Sequence, residues 1–318
     1  MDEFALIRRF FDRPIKDDSV LLGIGDDGAV IVPDPDRQLI CVVDTIVVGV
    51  HYPIDLSPFD IGYRSVAINL SDMAAMGGRP RWMMLALSMP KTDVAWLSLF
   101  AKGLFTAAAE YKVSLVGGDT TRGETTVIST QLLGDIDPHS VMKRSGADPG
   151  DSIFVTGTPG DAAAGLSLLI SGSDQTSESK YLIGRFVRPK ARVAFAAAIT
   201  KLASAAIDVS DGLYADLQKL LTASKVGAKV ELELLPLSAE ILAKFYYDKA
   251  TNFALAGGDD YELCFAVPQS KDAEIYALAK KNQLQVARIG EVISGSGIAC
   301  TKDGVPFEYT DPGYRHFC

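Results

Sequence analysis

The chain has 318 residues, 48% hydrophobic and 22% charged, with a formal net charge of −9. That length gives room for two domains at roughly 150 residues each, and the acidity, with no Lys/Arg run, argues against a nucleic-acid binder. No apolar run approaches the ~18 residues needed to span a bilayer, so no membrane is expected as a partner.

In chain order, Phe4, Ile7, Phe10 and Phe11 recur at helical spacing, which predicts a short amphipathic helix over 1–13. That opening, "MDEFALIRRFFD", lacks the apolar stretch of a signal peptide. Residues 38–50, "QLICVVDTIVVGV", are rich in β-branched side chains and read as one or two buried strands. Ser57, Pro58 and Asp60 then mark a helix start, and the helix runs to about Met76 before Gly77-Gly78. A helix over about 93–111 feeds a strand that ends at Gly117-Gly118, and a strand over about 126–134 follows. The turn-rich stretch 135–150, "DIDPHSVMKRSGADPG", is the best boundary, giving domains 1–137 and 138–318.

Beyond it, a strand over 152–156 leads through "GTPG" into an Ala-rich helix from Asp161. Its Gly-rich turn before a helix N-terminus reads as an anion seat, a weak signal alone. "SGSDQTSES" reads as a loop. Helices near 189–204 and 212–224 and strands near 229–234, 262–267 and 286–292 complete the α/β (α+β) pattern. The cysteines form no CxxC, and the thiols read as reduced core groups, which predicts a cytoplasmic protein.

Three stretches repeat one arrangement, an apolar run, glycine, then carboxylate: "LLGIGDDGAV", "LVGGDTTRG" and "ALAGGDDYELCF". A buried carboxylate must find a partner or a metal. Asp44 sits inside "CVVDTIVV" and reads either as a turn between strands or as a metal ligand at a strand end. Ser65, Asn69 and Asp72 share one face of an otherwise apolar helix, so that polar stripe faces an internal site or a solvated edge. In "AIDVSDGLYADL", a plain helix N-cap accounts for Ser210 or Asp211 but leaves Asp208 unexplained. Oxygen-only clusters suit hard cations such as Mg²⁺, and with three histidines and no Cys/His spacing zinc is disfavoured. Carboxylates, glycine turns and scattered arginines (Arg122, Arg144) suit phosphoryl transfer, although no P-loop motif is present.

Taken together in order, "GIGDDGAV", "VDTIVVGVHY", "NLSDMAAMGGRP", "VGGDTTRG", "RSGADPGD", "VTGTPGDAAAGL", "IDVSDGL", "GGDDYELCF" and "GYRHF" resemble the thiamine-monophosphate kinases. These form one family of the aminoimidazole ribonucleotide synthetase superfamily. The resemblance spans nearly the whole chain. It implies a two-domain aminoimidazole ribonucleotide synthetase-like fold, whose N-terminal ATP- and Mg²⁺-binding domain forms a barrel across a homodimer, followed by a C-terminal α/β domain. It implies direct in-line transfer of the γ-phosphoryl of ATP to thiamine monophosphate, giving thiamine diphosphate, with several Mg²⁺ ions. A role for K⁺ stays open. By position, Asp27, Asp44, Asp72, Asp119, Asp208 and Asp211 would hold Mg²⁺, and Gly118, Asp119, Arg144 and Ser210 would touch ATP. His51, Asp259 and Tyr314 would contact thiamine monophosphate, with a strand-end core histidine and a surface-packed tail tyrosine as the plainer readings of His51 and Tyr314. No residue is assigned as a general base.

Two positions depart from the family pattern. Val42 and Val43 stand where hydroxyl residues often precede the aspartate, and Asp259 stands where Glu is frequent. Competing readings are a sister synthetase, a non-catalytic cation- or nucleotide-binding module, and a metal-dependent phosphohydrolase. A selenophosphate synthetase would need a reactive Cys in a glycine-rich segment, whereas Cys41 lies in an apolar run.

Overall fold

The computed structural model describes residues 2–172, 175–309, 311 and 313. The chain divides into two compact units, Met1–Met73 with Gly78–His139, and Ala74–Gly77 with Ser140–Cys318.

The first unit opens with α1 (Glu3–Phe10), β1 (Val20–Leu22) and β2 (Val30–Ile31), and continues with β3 (Gln38–Val47) and α2 (Pro58–Ala75). It is completed by β4 (Arg79–Met89), α3 (Val94–Glu110), β5 (Ser114–Arg122) and β6 (Val127–Ile136). β1 and β2 form a small antiparallel pair, and the other strands form a sheet ordered β3-β6-β4-β5. β4 and β5 run parallel and the remaining pairs are antiparallel. Residues 38–47 make one continuous strand in which Asp44 pairs with Thr130, so the reading of Asp44 as a turn does not hold. The period of two fixes the faces of β3. Ile40 and Ile46 are buried, while Leu39, Cys41 and Val43 are exposed. Cys41 is therefore a surface thiol rather than a core one, unlike buried Cys264 and Cys300. The sheet is open, with β3 and β5 at its edges, and it closes no barrel within the described residues.

Apolar residues at helical spacing bury one side of each long helix: Val66, Leu70 and Met73 on α2, and Leu97, Phe100 and Leu104 on α3. The two helices touch through backbone. A Cβ on Gly62 would lie 2.1 Å from the Phe100 carbonyl oxygen, and one on Gly103 would lie 1.8 Å from that of Phe59. At the far end of the sheet the buried Asp135 carboxylate receives Arg37, Arg79 and Arg81, which compensates the desolvation of its charge.

The second unit contains β7 (Asp151–Thr156), α4 (Asp161–Ser171), α5 (Ser177–Val187), α6 (Val193–Ile199), β8 (Ala205–Val209), α7 (Leu213–Ser224) and β9 (Gly227–Glu231). It ends with α8 (Ala239–Lys244), α9 (Tyr247–Ala256), β10 (Glu262–Pro268), α10 (Asp272–Lys281), β11 (Val286–Ile293), β12 (Gly297–Lys302) and β13 (Val305–Phe307). The sheet order is β13-β12-β9-β11-β7-β10-β8, antiparallel except for β12 beside β9. Both faces are covered, which is why the central strands are apolar without alternation. Ile153 and Val155 join Ile207, Leu217 and Leu221 under α7. Phe154 points the other way, into Phe195, Phe265 and Ile275 under α6 and α10. The expected helix over 189–204 is confined to Val193–Ile199, and the end of the expected loop begins α5, where Thr176 caps Ser179.

Candidate active site

In the first unit, Asp27, Gly118 and Asp119 line one cavity of about 490 Å³, between the Gly23–Ala29 loop and the middle of β5. The glycine before the carboxylate has a physical reason here. Gly118 has φ +154°, and a Cβ would lie 1.9 Å from the Leu85 carbonyl oxygen, so only glycine lets β5 run this close to β4. The Asp119 side chain that follows is exposed toward the cavity. Asp26, exposed on the same loop, also lines the cavity and accepts the Asp27 N–H at 2.9 Å. Arg122 lines an adjacent cavity with Lys91 and Thr120.

Asp44 is half-buried on the same face of β3 as Ile40 and Ile46. The α2 stripe is internal rather than a solvated edge: Ser65 and Asn69 are fully buried and Asp72 is half-buried. Asn69 donates to the Ser65 carbonyl at 3.1 Å, while its Oδ1 is buried without a hydrogen-bond partner. Such an orphaned acceptor is costly, and it lies one helical turn before Asp72. His51 sits in the turn after β3, half-buried, where its Nδ1 accepts the Val47 N–H at 3.1 Å. A neutral ring therefore carries its proton on Nε2.

In the second unit the β8–α7 turn holds Ser210 and Asp211. Asp208 is buried in β8 opposite Leu263. Asp216, on the first turn of α7, is buried to 1% and its Oδ2 accepts the N–H groups of both Ser210 and Asp211 at 2.9 Å. Lys219 donates to Asp211 at 2.5 Å and to Asp216 at 2.7 Å. Ser210 meets Asp259 across 49 residues of chain, since the Asp259 N–H donates to the Ser210 carbonyl at 2.9 Å. Asp259 and Tyr261 both hold left-handed backbone, with φ +62° and +52°, and the Tyr261 hydroxyl reaches Asp259 Oδ1 at 3.2 Å. Arg144 is exposed, and Ser224 at the last turn of α7 donates to its carbonyl. Its backbone is thus about 18 Å of helix away from the Ser210 turn. Tyr314 lies outside the described residues.

The anion seat at the start of α4 is already taken. Asp260 accepts the N–H of Gly160 at 2.7 Å and of Ala162 at 3.2 Å, so an internal carboxylate caps that helix. Burial pushes the Asp260 carboxyl well above its ordinary range, against the pull of those N–H groups and Arg185. Behind it, fully buried Glu262 bonds Arg185, Arg192 and Thr156. Sequence reasoning missed Asp216, Lys219, Asp260 and Tyr261. The signal for Asp216 was its place five residues after Asp211, inside a helix whose apolar face it shares.

Two family models of the AIR synthase related proteins match the chain, the N-terminal domain over residues 25–136 and the C-terminal domain over 148–303. A thiamine-monophosphate kinase from Salmonella typhimurium is 41% identical over 99% of this chain and 98% of its own length. The chain belongs to the thiamine-monophosphate kinase family. Its fold agrees with that membership. The crystal structure of thiamine-monophosphate kinase from Stenotrophomonas maltophilia K279a matches with a TM-score of 0.89, 40% identity, and coverage of 96% of this chain and 98% of that one. A second solved member, described as AaThiL complexed with AMPPCP and TMP, matches with a TM-score of 0.80 and 33% identity over 99% of this chain and 96% of that one.

For this family member the donor chemistry fits Mg²⁺. The candidate groups are all oxygens, the β8–α7 turn already draws a cation in the form of the Lys219 ammonium, and the α2 stripe carries an unmet acceptor. Among the described residues no three His, Cys, Asp or Glu side chains form a self-sufficient metal cage.

Proposed function

We propose that this chain transfers the γ-phosphoryl group of ATP to thiamine monophosphate by direct in-line displacement, giving thiamine diphosphate and ADP. The observation that carries the reading is the cavity shared by Asp27, Gly118 and Asp119, in a chain 33% identical to a solved relative holding AMPPCP and TMP. Asp27, Asp44, Asp72, Asp119, Asp208 and Asp211 are the proposed Mg²⁺ ligands. Mg²⁺, when bound, would neutralise the negative charge of the polyphosphate. Gly118, Asp119, Arg144 and Ser210 are assigned to ATP, and His51, Asp259 and Tyr314 to the acceptor.

A phosphate oxygen of thiamine monophosphate attacks the γ-phosphorus, and the bond to the β–γ bridging oxygen breaks to release ADP. The acceptor phosphate is largely ionised near pH 7, so it needs no general base, and none is assigned. The chain's contribution is then positioning. Gly118 allows close approach of backbone, Asp216 fixes the Ser210–Asp211 turn, and Tyr261 orients Asp259. Val42 and Val43 offer only backbone oxygens where relatives of this type often carry hydroxyls, so Asp44 is the side-chain ligand from that segment.

We further assign residues 1–137 to ATP and Mg²⁺ binding and to dimerisation, and residues 138–318 to the C-terminal α/β domain. Dimerisation through a shared barrel is supported by the edge strand β3 and by the exposed Val43, Leu39 and Met84 on the sheet, since an exposed apolar edge invites pairing. A cytoplasmic location is inferred from the enzyme class, and no helix among the described residues is long and apolar enough to cross a membrane.

The test is ADP release from ATP and Mg²⁺ with and without thiamine monophosphate. ADP formed in step with thiamine diphosphate, and only with the acceptor present, is expected. ATP hydrolysis indifferent to the acceptor would overturn the assignment of His51, Asp259 and Tyr314.

A further inference from the structure

We propose that Lys219 is a tethered counter-cation for Asp211 that competes with the divalent ion for that carboxylate. The inference rests on the reading of Asp211 as a cation ligand. Lys219 lies on α7 two turns beyond Asp211, and its ammonium sits 2.5 Å from Asp211 Oδ2 and 2.7 Å from Asp216 Oδ1. The two carboxylates differ in what else holds them. Asp216 is buried and spends its other oxygen on the N–H groups of Ser210 and Asp211. It is a fixed part of the turn and draws the ammonium toward it. Asp211 is one-third exposed and Lys219 is 40% exposed, so that pair meets solvent and incoming ions.

A divalent cation arriving at Asp211 therefore meets a carboxylate already partly neutralised. It must share the group or displace the ammonium, and Lys219 can fall back on Asp216. The ammonium keeps Asp211 and Asp216 from repelling each other when no divalent ion is present, and it weakens divalent binding by the strength of its own pair. Neither Asp216 nor Lys219 is proposed to touch the transferring phosphate. They act through Asp211 and are positioning residues.

The test uses the full chain with Mn²⁺ alone as probe, following loss of the free-ion electron paramagnetic resonance signal. An exposed pair of this kind is worth little, so Lys219→Met should tighten the Mn²⁺ dissociation constant about two- to fivefold. Lys219→Arg, which keeps the charge and the reach, should stay near the wild-type value. Asp211→Asn should weaken Mn²⁺, and adding Lys219→Met in that background should restore nothing. If Lys219→Met loses the fold, the neutral polar Lys219→Gln is read against the same expectation. An unchanged or weaker constant in these neutral variants, with Asp211→Asn still weakening Mn²⁺, overturns the role of Lys219 and leaves Asp211 a ligand. No effect of Asp211→Asn, or no Mn²⁺ binding by the wild-type chain, overturns both.

Discussion

At the scale of single residues, buried and exposed carboxylates in this chain do different work, and substitution separates them. Asp119 is exposed beside a cavity, so Asp119→Asn should leave the melting temperature nearly unchanged while kcat falls by about 10²–10³, the size expected on losing one preorganised electrostatic contact. Steady-state kinetics with a melting curve checks this, and a fall in kcat under tenfold would remove Asp119 from the site. Asp259→Asn should raise KM for thiamine monophosphate about tenfold, on the scale of one charged hydrogen bond, and leave KM for ATP alone. Glu262 is a stability residue. Burial alone would raise its carboxyl, but the Arg192 and Arg185 guanidiniums outweigh burial and hold it at about 2, below its ordinary 4.5. The folded value lies below the unfolded one, so the stabilisation is complete above about pH 4.5 and fades as pH falls toward about 2. Glu262→Gln leaves two arginines without their buried partner and should cost about 3 kcal/mol near neutral pH. Urea melts at several pH values should show that gap narrowing in acid. A gap that stays constant would mean the charge of Glu262 contributes nothing.

At the scale of elements, α2 and α3 are joined by backbone contact at Gly62 and Gly103. The Cβ of Gly103→Ala would run into the Phe59 carbonyl, and backbone cannot move aside as a side chain can. Overpacking of this kind should cost about 2–3 kcal/mol, measurable as a lowered denaturant midpoint. An unchanged midpoint would show that the helices slide apart freely. The same contact matters beyond stability, because α2 carries Asp72 and the buried Asn69 stripe on one rigid rod. In the second unit the left-handed residues Asp259 and Tyr261 flank Asp260, whose carboxylate is fixed on the first turn of α4. Strain of this kind persists only where the surroundings hold it, and here the helix start, the Ser210 carbonyl and the Val209 carbonyl all do so.

At the scale of the whole molecule, the open sheet of the first unit carries the test of the proposed dimer. β3 is a ten-residue edge strand with Val43 62% exposed, a liability that soluble proteins normally blunt or cover. Val43→Glu places a charge on that face without touching the buried face marked by Ile40 and Ile46. With the proposed dimer pairing through this face, Val43→Glu should shift the protein from dimer to monomer in light scattering coupled to gel filtration. A wild-type monomer, or a dimer unaffected by Val43→Glu, would dismiss this face as the interface.

The sequence by itself determined the elements whose chemistry is local. Ser57-Pro58 starts α2 one residue on, Gly77-Gly78 follows its end, and the β-branched run of 38–47 is a strand. Ser65, Asn69 and Asp72 fall on one helical stripe by periodicity alone. Motif order carried family membership and most candidate site residues. What only the tertiary structure decided were the pairings of distant residues: Ser210 with Asp259, Lys219 and Asp216 with Asp211, and Asp260 with the start of α4. The "GTPG" turn had the composition of an anion site, and only the folded chain reveals that its anion is internal. The short helices α8 and α9 and the strand β4 were not legible, because their burial comes from distant partners rather than from a clean local period. Local physics writes the elements into the chain, whereas a carboxylate's role depends on which cation or N–H the fold brings to it.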